Sequence, residues 1–515
     1  MRHFAGKLGL SVLCVALWCG CGPAPKPPAP PPKGPPPLAA DRVILRESPA
    51  PVVELRVMFE AGSADDPKGQ EGLTYVTVAS MLEGGAGGVS YAERTRRLFP
   101  MAAEISGHVE RQQTVFTARV HKDHLESFYP LFRDVLLHPD FSEADFERVR
   151  ARTVSSLTQD LRGADDESLG KEVLQSMLFE GHPFGHPEIG TETGLTHLTV
   201  LDLPTHQQRI LCSKRMRVAV AGSADAGFQA RFAQDMGTLI TAACSATTAL
   251  PAPLPQTARR VWIIHKPEAA SIAMSLGMPI DVTRKHPDYA ALTLAAAYLG
   301  QHRTFAGRLM QKMRADRGLN YGDYAYAEHF VQDGFTRFPL PNVGRRQQYF
   351  SIWIRPVQPE QAHFALRMAV RELERCVREG IAQSDFDRIQ RFVDRYYALF
   401  AQTEQQRLGN ALDDAFYGNQ GPYLDVLRAQ VRALTRDQVN AALKRHLDPE
   451  KLQIALVAPD AEKFSAQLVA GAPSPIVYAS EKPAEILEED KQVVVYPLNL
   501  LAPQVKVVPV AEVFK

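Results

Sequence analysis

The sequence predicts an α+β protein made of two homologous α/β-sandwich halves, placed behind an exported and tethered N-terminus. Three observations carry this. Strands alternate with amphipathic helices from Asp41 onward, one strand–helix block recurs 236 residues later without a gap, and residues 1–40 read as a signal followed by a spacer. The chain has 515 residues, against roughly 100–200 per domain, so more than one core is expected. With 45% hydrophobic and 23% charged residues it is an ordinary globular composition, which excludes wholesale disorder. Lys plus Arg equals Asp plus Glu at 58 each, and no basic run stands out, so no nucleic acid partner is expected.

The N-terminus comes first. Arg2, His3 and Lys7 precede an apolar run, Leu8 to Trp18, that is too short to span a bilayer comfortably. The run ends at Leu17-Trp18-Cys19-Gly20-Cys21, which resembles the lipobox of a bacterial lipoprotein and makes Cys21 the expected lipidation site. A plain cleaved signal peptide is the alternative. Gly22 rather than Asp follows that cysteine, which by the same resemblance suggests the outer membrane, facing the periplasm. Pro23 to Pro37 holds ten prolines in fifteen residues. Such a stretch favours an extended spacer of roughly 45 Å that would hold a folded body clear of lipid. The expected division is signal 1–20, tether 21–40, first half 41–243, linker 244–257, second half 258–475 and an extended C-terminal tail 476–515.

In the first half, Val52 to Phe59 reads as a strand, leading through a turn-rich Ala61 to Gly72 into an apolar helix, Leu73 to Leu82. His108 to His121 reads as one long strand. Leu125 to Leu137, Glu143 to Leu161 and Ser168 to Phe179 carry helical spacing, and Met216 to Ala221 is a buried strand. The second half repeats the plan. Leu198-Thr199 aligns with Leu434-Thr435, Leu203 with Val439, Met216 with Leu452 and Phe228 with Phe464. Val261 to Ile264 and Ile272 to Met278, with an Ala-rich helix after Pro287, echo the opening of the first half. Pro251, Pro253 and Pro255 mark the connector. Apart from Cys14, Cys19 and Cys21, the cysteines are Cys212, Cys244 and Cys376, whose pairing the sequence leaves open.

These residues bring a family into view. Gly62-Ser63-Ala64-Asp65-Asp66-Pro67 through Glu71-Gly72-Leu73, then an apolar helix, resembles the approach to the active-site helix of insulinase/pitrilysin-like metallopeptidases. Gly181-His182-Pro183-Phe184-Gly185-His186-Pro187 with Ile189-Gly190-Thr191 resembles a second family segment. Gly307-Arg308-Leu309 with Arg314 to Tyr321 resembles the substrate-binding segment. The resemblance runs from Asp41 to about Ala470 and implies the clamshell-type metallopeptidase fold, of the two-half kind seen in processing peptidases.

Active members carry H-x-x-E-H on that first helix. Positions four apart share a helix face, so two imidazoles grip one Zn²⁺, the intervening carboxylate activates water, and a later Glu completes the ligands. Here the motif falls on Tyr75 to Ala79, with Tyr75 and Ala79 at the histidine positions and Val78 at the general base. Ser156 stands at the third ligand, so no catalytic and no metal residues are expected. Nothing else replaces them. His121, His124 and Glu126 sit at a strand–helix junction, His182 and His186 are separated by Pro183 and Gly185, and Glu328-His329 is a lone pair in sequence. No Walker-type loop or G-x-S-x-G elbow is present.

Arg314 and Tyr321 do survive. The resemblance gives them the role of binding the substrate backbone and the developing oxyanion across a chamber, work suited to a permanent charged fork and a directional phenol donor. Some bacterial members of the family work as two chains, one with the zinc motif and one without. The chain resembles the second kind. The expectation is a zinc-free, non-catalytic subunit that pairs with an active zinc-bearing homologous chain and binds unfolded peptide, the zinc belonging to that partner. The alternative is a scaffold or peptide-binding lipoprotein without a proteolytic role, and an autonomous zinc endopeptidase ranks last.

Overall fold

The computed structural model of the chain describes residues 37–515, apart from 240–242, 248, 333 and 335. The signal segment, Cys21 and most of the proline-rich tether lie outside the described residues. Among the described residues no helix is long and apolar enough to cross a membrane.

In the first half, strands β1 (Val43–Glu47), β2 (Val52–Phe59), β3 (Glu104–Val109), β4 (Thr114–His121) and β5 (Met216–Gly222) form a sheet ordered β1-β5-β2-β4-β3. Only β1 and β5 run parallel. Val53, Leu55, Val57 and Phe59 of β2 all turn to one face, as period-two geometry demands, and pack on helices α1 (Leu73–Glu83) and α2 (Leu125–Leu137). Leu38 is already buried in this core, so the folded body begins before Asp41. The stretch His108–His121 is not one strand. It is a β3–β4 hairpin, and Glu110-Arg111-Gln112-Gln113 is its turn. The polar–apolar alternation that suggested a single strand runs on both sides of that turn.

Helix α3 (Glu143–Ser155) starts on a Ser142 cap and ends where the backbone widens into a π-helix, Ser156–Ala164. Helix α4 (Asp166–Leu178) follows.

The second half rebuilds the same sheet from β6 (Arg260–His265), β7 (Ile272–Ile280), β8 (Asp323–Tyr326), β9 (Gln348–Val357) and β10 (Gln453–Ala458), with β6 and β10 parallel as β1 and β5 are. The sequence repeat predicts this pairing: shifting β5 by 236 residues lands on β10. Helix α5 (Tyr289–Gly300) is buried along its whole length under this sheet, beside the amphipathic α6 (Pro359–Glu379). The tail is not simply extended. Val493 and Val494 end a helix, and Val505–Pro509 forms β11, a sixth strand parallel to β6 at the sheet edge.

The two halves exchange helices. α4, from the first half, packs Leu169, Val173, Leu174 and Met177 onto the open face of the second sheet, against Ala273, Ala455 and Val457. Gly277 makes room, since a Cβ there would come within 3.2 Å of the Leu174 side chain. In return, α7 (Glu404–Tyr417) packs Leu408, Leu412 and Phe416 onto Met58, Val115, Ala219 and Ala221 of the first sheet. Each sheet is therefore covered on its second face by the other half. Cys212 and Cys244 form a disulfide with Cα atoms 5.9 Å apart, and Cys376 is free and buried.

Candidate functional site

Helix α1 begins without a side-chain cap of its own. Instead Asp66, six residues upstream, accepts the Gly72 and Thr74 amide protons, each at 2.7 Å. Gly72 itself has φ +105°, and a Cβ there would lie 2.8 Å from the Ile189 carbonyl oxygen, so no other residue fits. Behind Asp66 runs a buried relay. Arg209 donates to His206 Nδ1 (2.9 Å), so His206 Nε2–H donates to Thr74 Oγ1 (2.8 Å), whose hydroxyl donates to Asp66 (2.6 Å). The order resembles a nucleophile relay run backwards. Here the histidine gives its proton toward the hydroxyl, and Thr74 is fully buried. Burial, with Arg209 and Arg215 nearby, pushes His206 down to about 3, and burial pushes Asp66 up to about 7. The relay latches the start of α1 and offers no nucleophile.

Along α1 the positions to which the resemblance assigns the family motif are core or half-buried. Val78 is 2% exposed and faces the sheet with Val57 and Phe116. Ala79 joins Val76, Phe146, Val149 and Leu157 in the seam between α1 and α3. Tyr75 lies at the same seam, half-buried, and burial raises its phenol pKa. Ser156 is half-buried at the first position of the π-helix. One turn earlier, on the same helix face, Arg152 pairs with Glu83, and Arg148 with Asp145 at 2.9 Å. Val78 and Ala79 have no ligand atom, and Glu83, the carboxylate near Tyr75, is already taken by Arg148 and Arg152. These residues do not fit a zinc ion.

Two other clusters gather metal-ligating groups among the described residues: Glu110, Glu188 and His329, and His286, Asp288 and His446. Neither is arranged for a cation. In the first, Arg345 lies 3.1 Å from Glu188, 3.3 Å from Glu110 and 2.8 Å from His329, and Arg111 pairs with Glu172 (2.7 Å) and Glu188. His329 is thus not isolated, as its sequence neighbourhood suggests; the fold brings it 3.3 Å from Glu110 of the other half. Burial and the Arg345 charge push its pKa to about 4. In the second cluster Arg445 already pairs with Asp288, and His286 Nδ1 accepts the Asp288 amide proton (3.0 Å), leaving the other ring nitrogen protonated. His121 and His182 do cap turns, each Nδ1 accepting an amide proton two residues on.

Arg314 and Tyr321 come together at the surface. A short π-helix, Met310–Ala315, is anchored by buried Met310 and Met313 and closes at Gly318, whose φ of +70° suits only glycine well. Arg314 donates to the Tyr321 carbonyl oxygen at 3.1 Å. Its guanidinium lies 4.8 Å from the Phe305 ring centroid and 5.6 Å from that of Tyr321. Tyr321 is 77% exposed and Phe305 64%. The loop beneath them is fixed. Asn320 donates to Asp323 (2.7 Å) and to the Arg355 carbonyl, while Arg317 pairs with Glu489 (2.9 Å) and Asp490 (2.8 Å) of the tail helix α8 (Ala484–Val494). Burial pushes the Asp323 carboxyl up to about 8. Phe305 and the tail brace carry no motif, and sequence reasoning misses both.

Sheet plan, helix exchange and a filled metal seam define a two-half metallopeptidase-like protein. The pattern described as Insulinase (Peptidase family M16) matches residues 42–192, and that described as Peptidase M16 inactive domain matches residues 198–393. The chain belongs to the insulinase-like family. An uncharacterized zinc protease of Mycobacterium bovis is 23% identical over 372 residues, 71% of this chain and 79% of its own. The non-peptidase homolog YmxG of Helicobacter pylori is 20% identical over 414 residues, 79% of this chain and 89% of its own. The crystal structure of a peptidase M16 inactive domain from Pseudomonas fluorescens superposes with a TM-score of 0.70 at 21% identity, covering 87% of this chain and 98% of that one. These relatives carry both zinc-protease and non-peptidase names, and the inactive-domain match and the non-peptidase homologue are consistent with a non-catalytic member.

Proposed function

We propose that this chain is the zinc-free subunit of an insulinase-family metalloendopeptidase, pairing with an active homologous chain and lending it peptide-binding groups. One observation carries the reading: Val78 is packed into the sheet core and Ala79 into the α1–α3 seam, while Arg314 stands half-open between two exposed rings. A guanidinium and a phenol offered to solvent are donors for a peptide carbonyl or an oxyanion. Two residues beyond Tyr321 begins β8, an edge strand whose free side can pair with an extended peptide. Zinc and the water it activates come from the partner.

Tethering through Cys21 to the outer membrane, facing the periplasm, completes the proposal. The Cys212–Cys244 disulfide suits such an oxidising compartment. Radiolabelled palmitate should enter the wild-type chain and not Cys21→Ser.

The decisive assay mixes the purified chain with a zinc-bearing homologue and follows cleavage of an unfolded peptide. Arg314→Ala and Tyr321→Phe should each cut the rate by about tenfold or more. Unchanged rates in both variants would remove their assigned role, and cleavage equally fast without this chain would favour the scaffold reading.

A further inference from the structure

At the junction of the two halves lies a cavity of about 170 Å³, floored by α4 and roofed by the segment after β8. Among the described residues its charged side chains are in ion pairs, with one exception. Glu172 is held by Arg111, Glu188 by Arg111 and Arg345, and Glu110 by Arg345. Lys171 is the exception. Its ammonium lies 3.9 Å from the Trp353 ring centroid, yet among the described residues it has no carboxylate within salt-bridge reach and donates no hydrogen bond. Two more donors stand idle beside it: the Ser168 hydroxyl and the Gln332 amide line the same cavity and make no side-chain hydrogen bond among the described residues. Ser168 and Lys171 are three apart on one helix and so share a face.

Lys171, Ser168 and Gln332 can each donate to a bound acceptor, while the carboxylates of Glu110, Glu172 and Glu188 are engaged by Arg111 and Arg345. Apolar surface completes the site, since Phe330 and Trp353 meet edge to face at 5.9 Å on its wall. We propose that this cavity binds an organic carboxylate, its oxygens on Lys171 and Ser168 and its apolar group against Trp353 and Phe330. The carboxylate belongs to a small apolar acid or to a peptide C-terminus. Burial pushes the Lys171 pKa down, while Glu167, Asp165 and Glu172 nearby favour its charged form.

The site needs only this chain, so its test is independent of the subunit reading. Calorimetric titration of the full chain uses N-acetyl-phenylalanine, its amide, and a tripeptide ending in phenylalanine as the free acid. An acid should bind saturably and the amide about tenfold more weakly or not at all. Lys171→Met, which keeps the contact with Trp353, should lose about tenfold or more, and Lys171→Arg should retain binding. Melting curves confirm that each variant is folded. Tight binding by the tripeptide alone assigns a peptide C-terminus; binding by both assigns any apolar acid. Equal affinity for acid and amide, indifference to Lys171→Met, or no binding at all overturns the proposal.

Discussion

The helix α1 seam and the Phe305–Arg314–Tyr321 surface have opposite fates within one fold. Along α1, Ala79 packs against α3 and Val78, 2% exposed, packs against the sheet. At the surface, a charged fork sits between two rings with Tyr321 at 77% exposure. The first region is stabilised by apolar contact, because its side chains face a neighbouring helix and the sheet with nothing polar to hold. The second region gains nothing from packing. It is kept in shape by a buried brace of Asn320, Asp323, Arg317 and the tail helix.

That contrast presumes two halves locked into one rigid body, and the largest expected effect tests the lock. Arg345 is fully buried between Glu110, Glu188 and Gln175. Arg345→Leu leaves Glu110 without its arginine, Glu188 keeping Arg111, and should cost about 3–5 kcal/mol in chemical denaturation. A loss under about 1 kcal/mol would show the halves to be held by something else. Next comes the exchanged helix. Leu412→Ala, in α7 on the first-half sheet, should cost about 3 kcal/mol and lower a single unfolding transition reported from both halves. Two separate transitions would break the picture of interlocked halves.

The closed seam predicts a smaller penalty. Val78→Glu, which restores the family's carboxylate, should destabilise the chain by about 2–3 kcal/mol, because the new group is buried without a partner. A neutral effect would mean that the seam opens readily. The smallest effect concerns the brace of the exposed surface. Burial works against ionisation of Glu489, but Lys312 and Arg317 hold its carboxyl down to about 2, against 4.5 unperturbed. A depressed carboxyl contributes stability that is fully present above the unperturbed value and is lost as pH falls from about 4.5 toward about 2. Glu489→Gln should flatten that part of the pH–stability curve by about 1–2 kcal/mol. An unchanged acid limb would place the brace elsewhere.

Much of this was legible in one dimension. The register of the repeat fixed β5 over β10, and the motif spacing placed Tyr75, Val78 and Ala79 on one helix beside the one that carries Ser156. Arg314 and Tyr321, seven residues apart, do meet, because the turn between them closes locally at Gly318. The β3–β4 turn was hidden because Glu110 to Gln113 lacks Gly, Pro or Asn to mark it. The tail's β11 was hidden for a different reason: an edge strand is defined by the partner it finds, here β6, some 245 residues away (505 against 260).

Local periodicity, turn residues and internal repetition are properties of neighbouring positions, and they sufficed for the duplicated α+β plan. Which helix covers which sheet, which arginine answers Glu110, and which ring meets Lys171 are set by contacts between segments more than a hundred residues apart. Such contacts depend on shape and charge meeting across the assembled halves, and nothing in the linear order of residues encodes that meeting in advance.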